Sequence, residues 1–138
     1  MRLTTHSDYA LRILLQAAIE PDRLLSIAQV AQEQEISRNH AMKVVNQLAN
    51  AGLLETTRGR NGGFRLGQPA NEISIGEVVR LTEPSLSSAD CANCILAPSC
   101  GLTPTLGEAV DAFLQVLDNR SLADVARSTR LPFHRTRA

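Results

Sequence analysis

Three thiols in one short run, Cys91-Ala-Asn-Cys94-Ile-Leu-Ala-Pro-Ser-Cys100, are the side chains best placed to do chemistry. Deprotonated cysteines converging from a flexible segment hold soft metals, and thiolate sets favour zinc or an iron-sulfur cluster over magnesium or calcium. Gaps of two and five residues supply three ligands and leave the fourth position to a distant residue, a partner subunit or an exogenous ligand. Asp90 is the one adequate non-thiol donor nearby. A pair two residues apart can also act as a dithiol redox site, but such pairs usually open a helix behind a strand, and that context is missing around Cys91. Inert cysteines would be scattered over helix faces, not gathered in a loop. An iron-sulfur cluster is the first expectation, ahead of zinc, metal-free thiol sensing and inert thiols.

A second chemical set lies upstream. Between Arg38 and Arg65 the basic residues are Arg38, Lys43, Arg58, Arg60 and Arg65 against the single acid Glu55, in a chain whose formal net charge is zero. A phosphate backbone responds to that local field rather than to the net charge. Ser37 caps an expected helix to about Ala51 with Ala41, Val44, Val45 and Leu48 on one side, which turns Arg38, Asn39, His40, Lys43 and Asn46 to solvent. Arg38 and Asn39 suit base edges in a major groove and Lys43 a phosphate. Arg58-Gly59-Arg60-Asn61-Gly62-Gly63 reads as the tip of a two-stranded wing running from Leu53 to Leu66. Its glycines admit close backbone approach, so Arg58, Arg60, Asn61, Gly62 and Arg65 join Ser37, Arg38, Asn39, His40 and Lys43 as expected DNA contacts. Phe64 and Leu66 alternate with Arg65 and belong to the core. A solvated polar face on an ordinary helical hairpin is the plain alternative, and the adjoining wing argues against it.

The elements that position these residues follow from periodicity and punctuation. A first helix is expected after the polar stretch Thr4 to Ser7, ending near Pro21, and a short second one after Ser26. Gly52 stops the third, as a left-handed C-terminal position requires. A further helix is expected at about Ile75 to Thr82. A long amphipathic one runs from about Pro104 to Asp118, and a last short one starts at Ser121. At 138 residues, with 43% hydrophobic and 3% aromatic residues, the chain suits one compact domain with an aliphatic, mainly helical core. The expected division is a winged helix-turn-helix DNA-binding domain at 1–83, a cysteine loop at 84–103, dimerisation and C-terminal helices at 104–131 and a mobile tail at 132–138. Nowhere do apolar residues run for the roughly 18 positions a bilayer requires. With no export signal and an odd cysteine number, a cytoplasmic protein with reduced thiols is expected.

Several stretches together resemble a known family: Leu3-Thr4, Asp8-Tyr9-Ala10-Leu11-Arg12, Ser37-Arg38-Asn39-His40, Lys43-Val44-Val45-Asn46-Gln47-Leu48, Arg58 to Leu66, Ile75-Gly76-Glu77-Val78-Val79, the three cysteines, Phe113-Leu114 and Leu122-Ala123-Asp124. They resemble the small iron-sulfur winged-helix transcriptional repressors of bacteria, and most nearly the nitric-oxide-sensing NsrR group. The resemblance covers nearly the whole chain. It implies a non-enzymatic homodimer with crossed C-terminal helices that represses from a palindromic site on double-stranded DNA. It also implies a cluster on Cys91, Cys94 and Cys100, four-iron in preference to two-iron, with Asp8 of the other subunit as fourth ligand. Nitric oxide would end repression by nitrosylating or removing that cluster. For Asp8 the alternative is simple pairing with the helix dipole, and His6 is a substitute ligand. The first cysteine gap departs from the family pattern, two residues where relatives have more. Two other functions remain: a regulator of cluster-biogenesis genes that answers to iron-sulfur or redox status, and a small thiol redox enzyme. Against the enzyme, His6 before the first helix, His40 on the third and His134 in the tail form no acid-base constellation.

Overall fold

A computed structural model describes residues 2–87 and 89–133; the tail expected to be mobile therefore lies, from His134 on, outside the described residues. Among the described residues, six α-helices, α1 (Thr5–Ile19), α2 (Ile27–Glu33), α3 (Arg38–Asn50), α4 (Ile75–Thr82), α5 (Leu102–Asp118) and α6 (Leu122–Arg127), accompany a hairpin of β1 (Leu54–Thr57) and β2 (Gly63–Leu66). The architecture is mainly helical, a winged helix-turn-helix with a long late helix.

Each start has a local cause. Ser26, Ser37, Ser74 and Ser121 are extended residues whose side chains accept the backbone N–H three positions on, and Asp124 closes a full capping box with Ser121. Gly52, at φ +82, ends α3 where an L side chain would be strained. The aliphatic core runs through Ile13, Leu14, Val30, Val44, Val45, Leu48, Phe64, Val78 and Leu122, all essentially inaccessible.

Two helices begin earlier than the sequence indicates. The polar run Thr4 to Ser7 lies at the start of α1, with Thr4 as its cap, because the acceptor that satisfies it is remote. Glu83 Oε2 accepts from the Thr4 N–H at 3.0 Å, from Thr4 Oγ1 at 2.6 Å and from the fully buried Ser7 hydroxyl. A carboxylate at a helix N-terminus meets both the orphan N–H groups and the positive dipole end. The long helix starts at Leu102 and not at Pro104, since proline is tolerated within a first turn whose N–H groups are unpaired anyway.

The wing has a third member that the sequence does not announce. Leu25, between α1 and α2, exchanges two hydrogen bonds with Phe64 at 2.9 and 2.7 Å. Gly63 sits so close to that segment that a Cβ would run into the Leu25 carbonyl. In the hairpin Leu54 faces Leu66, Glu55 faces Arg65 and Thr56 faces Phe64. Phe64 is buried and Leu66 packs on the core, as their alternation requires. At the far end, Ile75 N–H donates to the Arg120 carbonyl at 2.9 Å and Leu122 N–H to the Ile73 carbonyl at 2.7 Å. These bonds return the chain so that α6 packs on α1.

Burial pushes the Glu83 carboxyl up, but the bonds from Ser7 and Thr4 together outweigh it and hold it below the ordinary carboxylate range. A depressed folded value means that this stabilisation is complete above the unfolded pKa and disappears as pH falls through the folded one. Glu83→Gln is expected to cost about 1 to 3 kcal/mol at neutral pH, the usual worth of hydrogen bonds to a charged group. Urea unfolding of both proteins from pH 7 to pH 3 checks this, with the gap narrowing as the wild type is acidified.

Candidate nucleic-acid interface and thiol loop

Ser37, Arg38, Asn39, Met42, Lys43 and Asn46 are exposed along one side of α3, opposite the buried Ala41, Val44, Val45 and Leu48. Ser37 Oγ already accepts the His40 N–H at 3.1 Å, so only its hydroxyl proton is free for a phosphate. On the wing Arg58, Arg60, Asn61 and Arg65 are exposed, while Gly62 is half-buried and would drive a Cβ into the Thr57 carbonyl. Arg65 stands directly across the ladder from Glu55, which offsets part of its charge. Arg58, Arg60 and Asn61 at the tip carry no such opposite number in the ladder.

His40 departs from the expected solvent-facing position. Its ring stacks on His6 with centroids 5.4 Å apart and meets Tyr9 edge-on at 4.8 Å. His6, placed before the first helix by sequence reading, lies inside α1. His40 Nε2 is 3.2 Å from His6 Nδ1, and His6 Nε2 is 2.6 Å from Gln47 Oε1. Gln47 Nε2 in turn donates to the Leu81 carbonyl at 3.0 Å. Because the Gln47 amide nitrogen faces a carbonyl, its oxygen must accept, which sets a consistent order: His40 N–H to His6, His6 N–H to Gln47, Gln47 N–H to Leu81. Burial, with His6 and Lys43 adding to it, holds the His40 imidazole below its usual value. The stacked ring ties α3 to α1 through His6. Sequence separation hides this link, since His6 and His40 are 34 residues apart.

Asp8 lies in the first turn of α1, where it pairs with Arg12 at 2.6 Å. Both side chains are about half exposed, at 45% and 50%. The Arg12 guanidinium also lies 5.6 Å from the centre of the Tyr9 ring. Exposed pairs of this kind contribute about 0 to 1 kcal/mol, so releasing the carboxylate costs little.

The thiol loop leaves α4 at Glu83 and Pro84 and re-enters regular structure at Leu102. Cys91 and Cys94 are exposed and Cys100 half-buried, all three as free thiols. Hydrogen-bonded turns follow one another, Cys94 N–H to the Cys91 carbonyl at 3.3 Å and Ala97 N–H to the Cys94 carbonyl at 3.2 Å, before a 3-10 turn at Ala97–Ser99. Cys100 has the helix N-terminal setting that the Cys91/Cys94 pair lacks. N–H groups of Leu102 and Thr103 reach its sulfur, and with the Thr103 side chain they hold the thiol below its usual value. Among the described residues, no three of His, Cys, Asp and Glu already stand together as a metal site. In donor chemistry the thiols fit an iron-sulfur cluster: accessible sulfur, one of them already solvated by N–H groups, on backbone that carries little regular structure. No helix among the described residues is long and apolar enough to cross a membrane.

A family model described as Rrf2, iron-dependent transcriptional regulator, matches residues 3–128. Among solved structures, CymR (YrzC), the global cysteine regulator of B. subtilis, is 27% identical, with 94% of this chain and 99% of that one covered at a TM-score of 0.77. CymR of Staphylococcus aureus in an oxidised form is 30% identical, with coverage of 94% and 99% and a TM-score of 0.75. IscR of T. potens shares the fold at 23% identity and a TM-score of 0.73, covering 92% of this chain and 87% of its own.

Proposed function

The chain belongs to the Rrf2 family of transcriptional regulators, and from that membership we propose a cytoplasmic homodimeric repressor whose grip on a palindromic operator depends on an iron-sulfur cluster and yields to nitric oxide. The supporting observation is the double link at the end of α4. Leu81 is bonded to Gln47 of the recognition helix, and Glu83, one residue before the loop's Pro84, is bonded to the start of α1. The loop that carries the thiols therefore leaves α4 next to one contact with α3 and one with the start of α1.

Cys91, Cys94 and Cys100 would hold the cluster, with Asp8 of the other subunit as fourth ligand. When bound, the cluster would supply an iron site that reacts with nitric oxide; two-iron and four-iron forms both take four ligands, and the four-iron form is preferred on the family resemblance alone. Pro84 and Glu83 join the loop to the α1 cap, so a cluster held by the thiols would bear on that cap through the loop. Asp8 reaching across to the partner gives up Arg12 and fixes one DNA-binding unit against the other. Two copies of α3 about one DNA turn apart, roughly 34 Å, can then enter successive major grooves. Coupling of about 3 kcal/mol between the sites, within the usual allosteric range, changes DNA affinity about 150-fold.

The second copy has a surface to meet. Leu102, Leu106, Ala109, Phe113 and Val116 recur at alternating four- and three-residue steps along α5, and Leu102 and Val116 are 58% and 60% exposed. That spacing is the seam of paired helices, and 17 residues make it about 25 Å long.

Selection from a random duplex pool with the cluster-loaded protein tests the DNA reading: it should enrich an inverted repeat with half-sites about one turn apart. No enrichment would remove it. Release on cluster loss but not on nitric oxide would transfer the signal to cluster supply. Asp8→Ala should keep the visible cluster absorbance and change the rate of its loss under nitric oxide in a stopped-flow trace. An unchanged rate would take the aspartate out of the ligand set.

A further inference from the structure

The loop sorts its thiols into a pair and a single. The turn closed by Cys94 N–H on the Cys91 carbonyl at 3.3 Å spans Cys91-Ala92-Asn93-Cys94. A hydrogen-bonded four-residue turn keeps its end Cα atoms within about 7 Å, and a disulfide bridges Cα atoms about 4.4 to 6.8 Å apart. The Asp90 carboxylate accepts the Ala92 N–H at 3.1 Å and steadies the turn from its N-terminal side. Both cysteines are exposed, so small reagents reach them. Cys100 is set apart by a second turn and the 3-10 segment containing Pro98, and it is half-buried where the pair is exposed. The two-residue gap matters here, because a longer one would not close as a single turn.

We propose that in the metal-free chain Cys91 and Cys94 form a disulfide by exchange with a small-molecule disulfide, while Cys100 remains a thiol, so that the loop gates its own cofactor loading. One thiolate of the pair attacks a sulfur of the small disulfide, whose S–S bond breaks and releases a small thiolate. The second cysteine then attacks the protein sulfur of the mixed disulfide and expels the other small thiolate. The two cysteine protons end on the two released thiols, and two electrons pass from the protein sulfurs to the small disulfide. The oxidised pair has no thiolate to offer iron, and reduction restores both ligands. The disulfide step concerns the metal-free chain alone, whereas the gating of cofactor loading rests on the cluster reading.

The test takes full-length metal-free protein, fully reduced, through a series of glutathione to glutathione-disulfide ratios. Free thiols are trapped with N-ethylmaleimide, followed by intact mass and peptide mapping. The expected product has lost two hydrogen masses and carries one label, on Cys100. Cys94→Ser should instead accumulate a glutathione adduct on Cys91. Three labels at every ratio, a bridge that includes Cys100, or a bridge between chains would overturn the proposal. As a second readout, the oxidised protein should take up no iron and sulfide until it is reduced. If the reduced protein also takes up none while the Cys91–Cys94 bridge forms, the cluster reading fails and the disulfide stands.

Discussion

Cys100→Ala protein purified without air should be colourless, with the visible iron-sulfur absorbance and bound iron lost together. The size of the effect follows from position as well as ligand count. Cys91 and Cys94 lie on exposed turns that can rearrange, whereas Cys100 sits at the join of loop and α5, with N–H groups of Leu102 and Thr103 directed at its sulfur. Hydrogen bonds to ligand sulfur stabilise the thiolate that iron requires. On the proposed ligand set, losing this residue would remove the ligand with the most ordered setting and leave two thiols, too few for an anchored cluster. Helical content should be unchanged, because Cys100 is not part of the buried core. Full absorbance in the variant would show that the ligands lie elsewhere.

Arg38→Ala should weaken binding to the selected operator about 5- to 150-fold and relax base preference at one position in each half-site, the equivalent of about 1 to 3 kcal/mol for a lost bidentate contact. Arg38 is exposed at the first turn of α3, beside the Ser37 cap and over a core of Ala41, Val44 and Val45 that holds the helix in place. The N-terminal residues of such a helix approach base edges when it enters the major groove. Competition titrations with operator and scrambled duplexes at fixed salt separate the outcomes. Equal weakening on both would make Arg38 a phosphate contact and leave base reading to Asn39.

The parts readable in the sequence were those set by local physics. Apolar periodicity and punctuation located α2, α3, α4 and α6, with serines marking the starts of α2, α3 and α6, Gly52 marked the end of α3, and the alternation of Phe64 and Arg65 told the buried face of the wing from the wet one. What escaped depended on partners far along the chain. Thr4 to Ser7 look too polar to open a helix until Glu83, 79 residues from Thr4, supplies the acceptor. The Leu25 segment has no strand signature and becomes one residue of sheet only because Phe64 is brought beside it. His40 read as solvent-facing because its helical position is right, and the stacking against His6 that half-buries it is a tertiary fact. At the thiol loop the residue types were legible, but their sorting into a paired turn and a helix-start sulfur was not, because that depends on where α5 begins.

The central claim is that chemistry at the thiol loop controls the DNA-reading surface. It is tested most directly by titrating nitric oxide, without air, into cluster-loaded protein bound to its selected duplex while absorbance and DNA occupancy are followed in one sample. The account predicts that the two fall together. Cluster absorbance that vanishes while the duplex stays bound, or iron-free protein that releases DNA on the same titration, would contradict it.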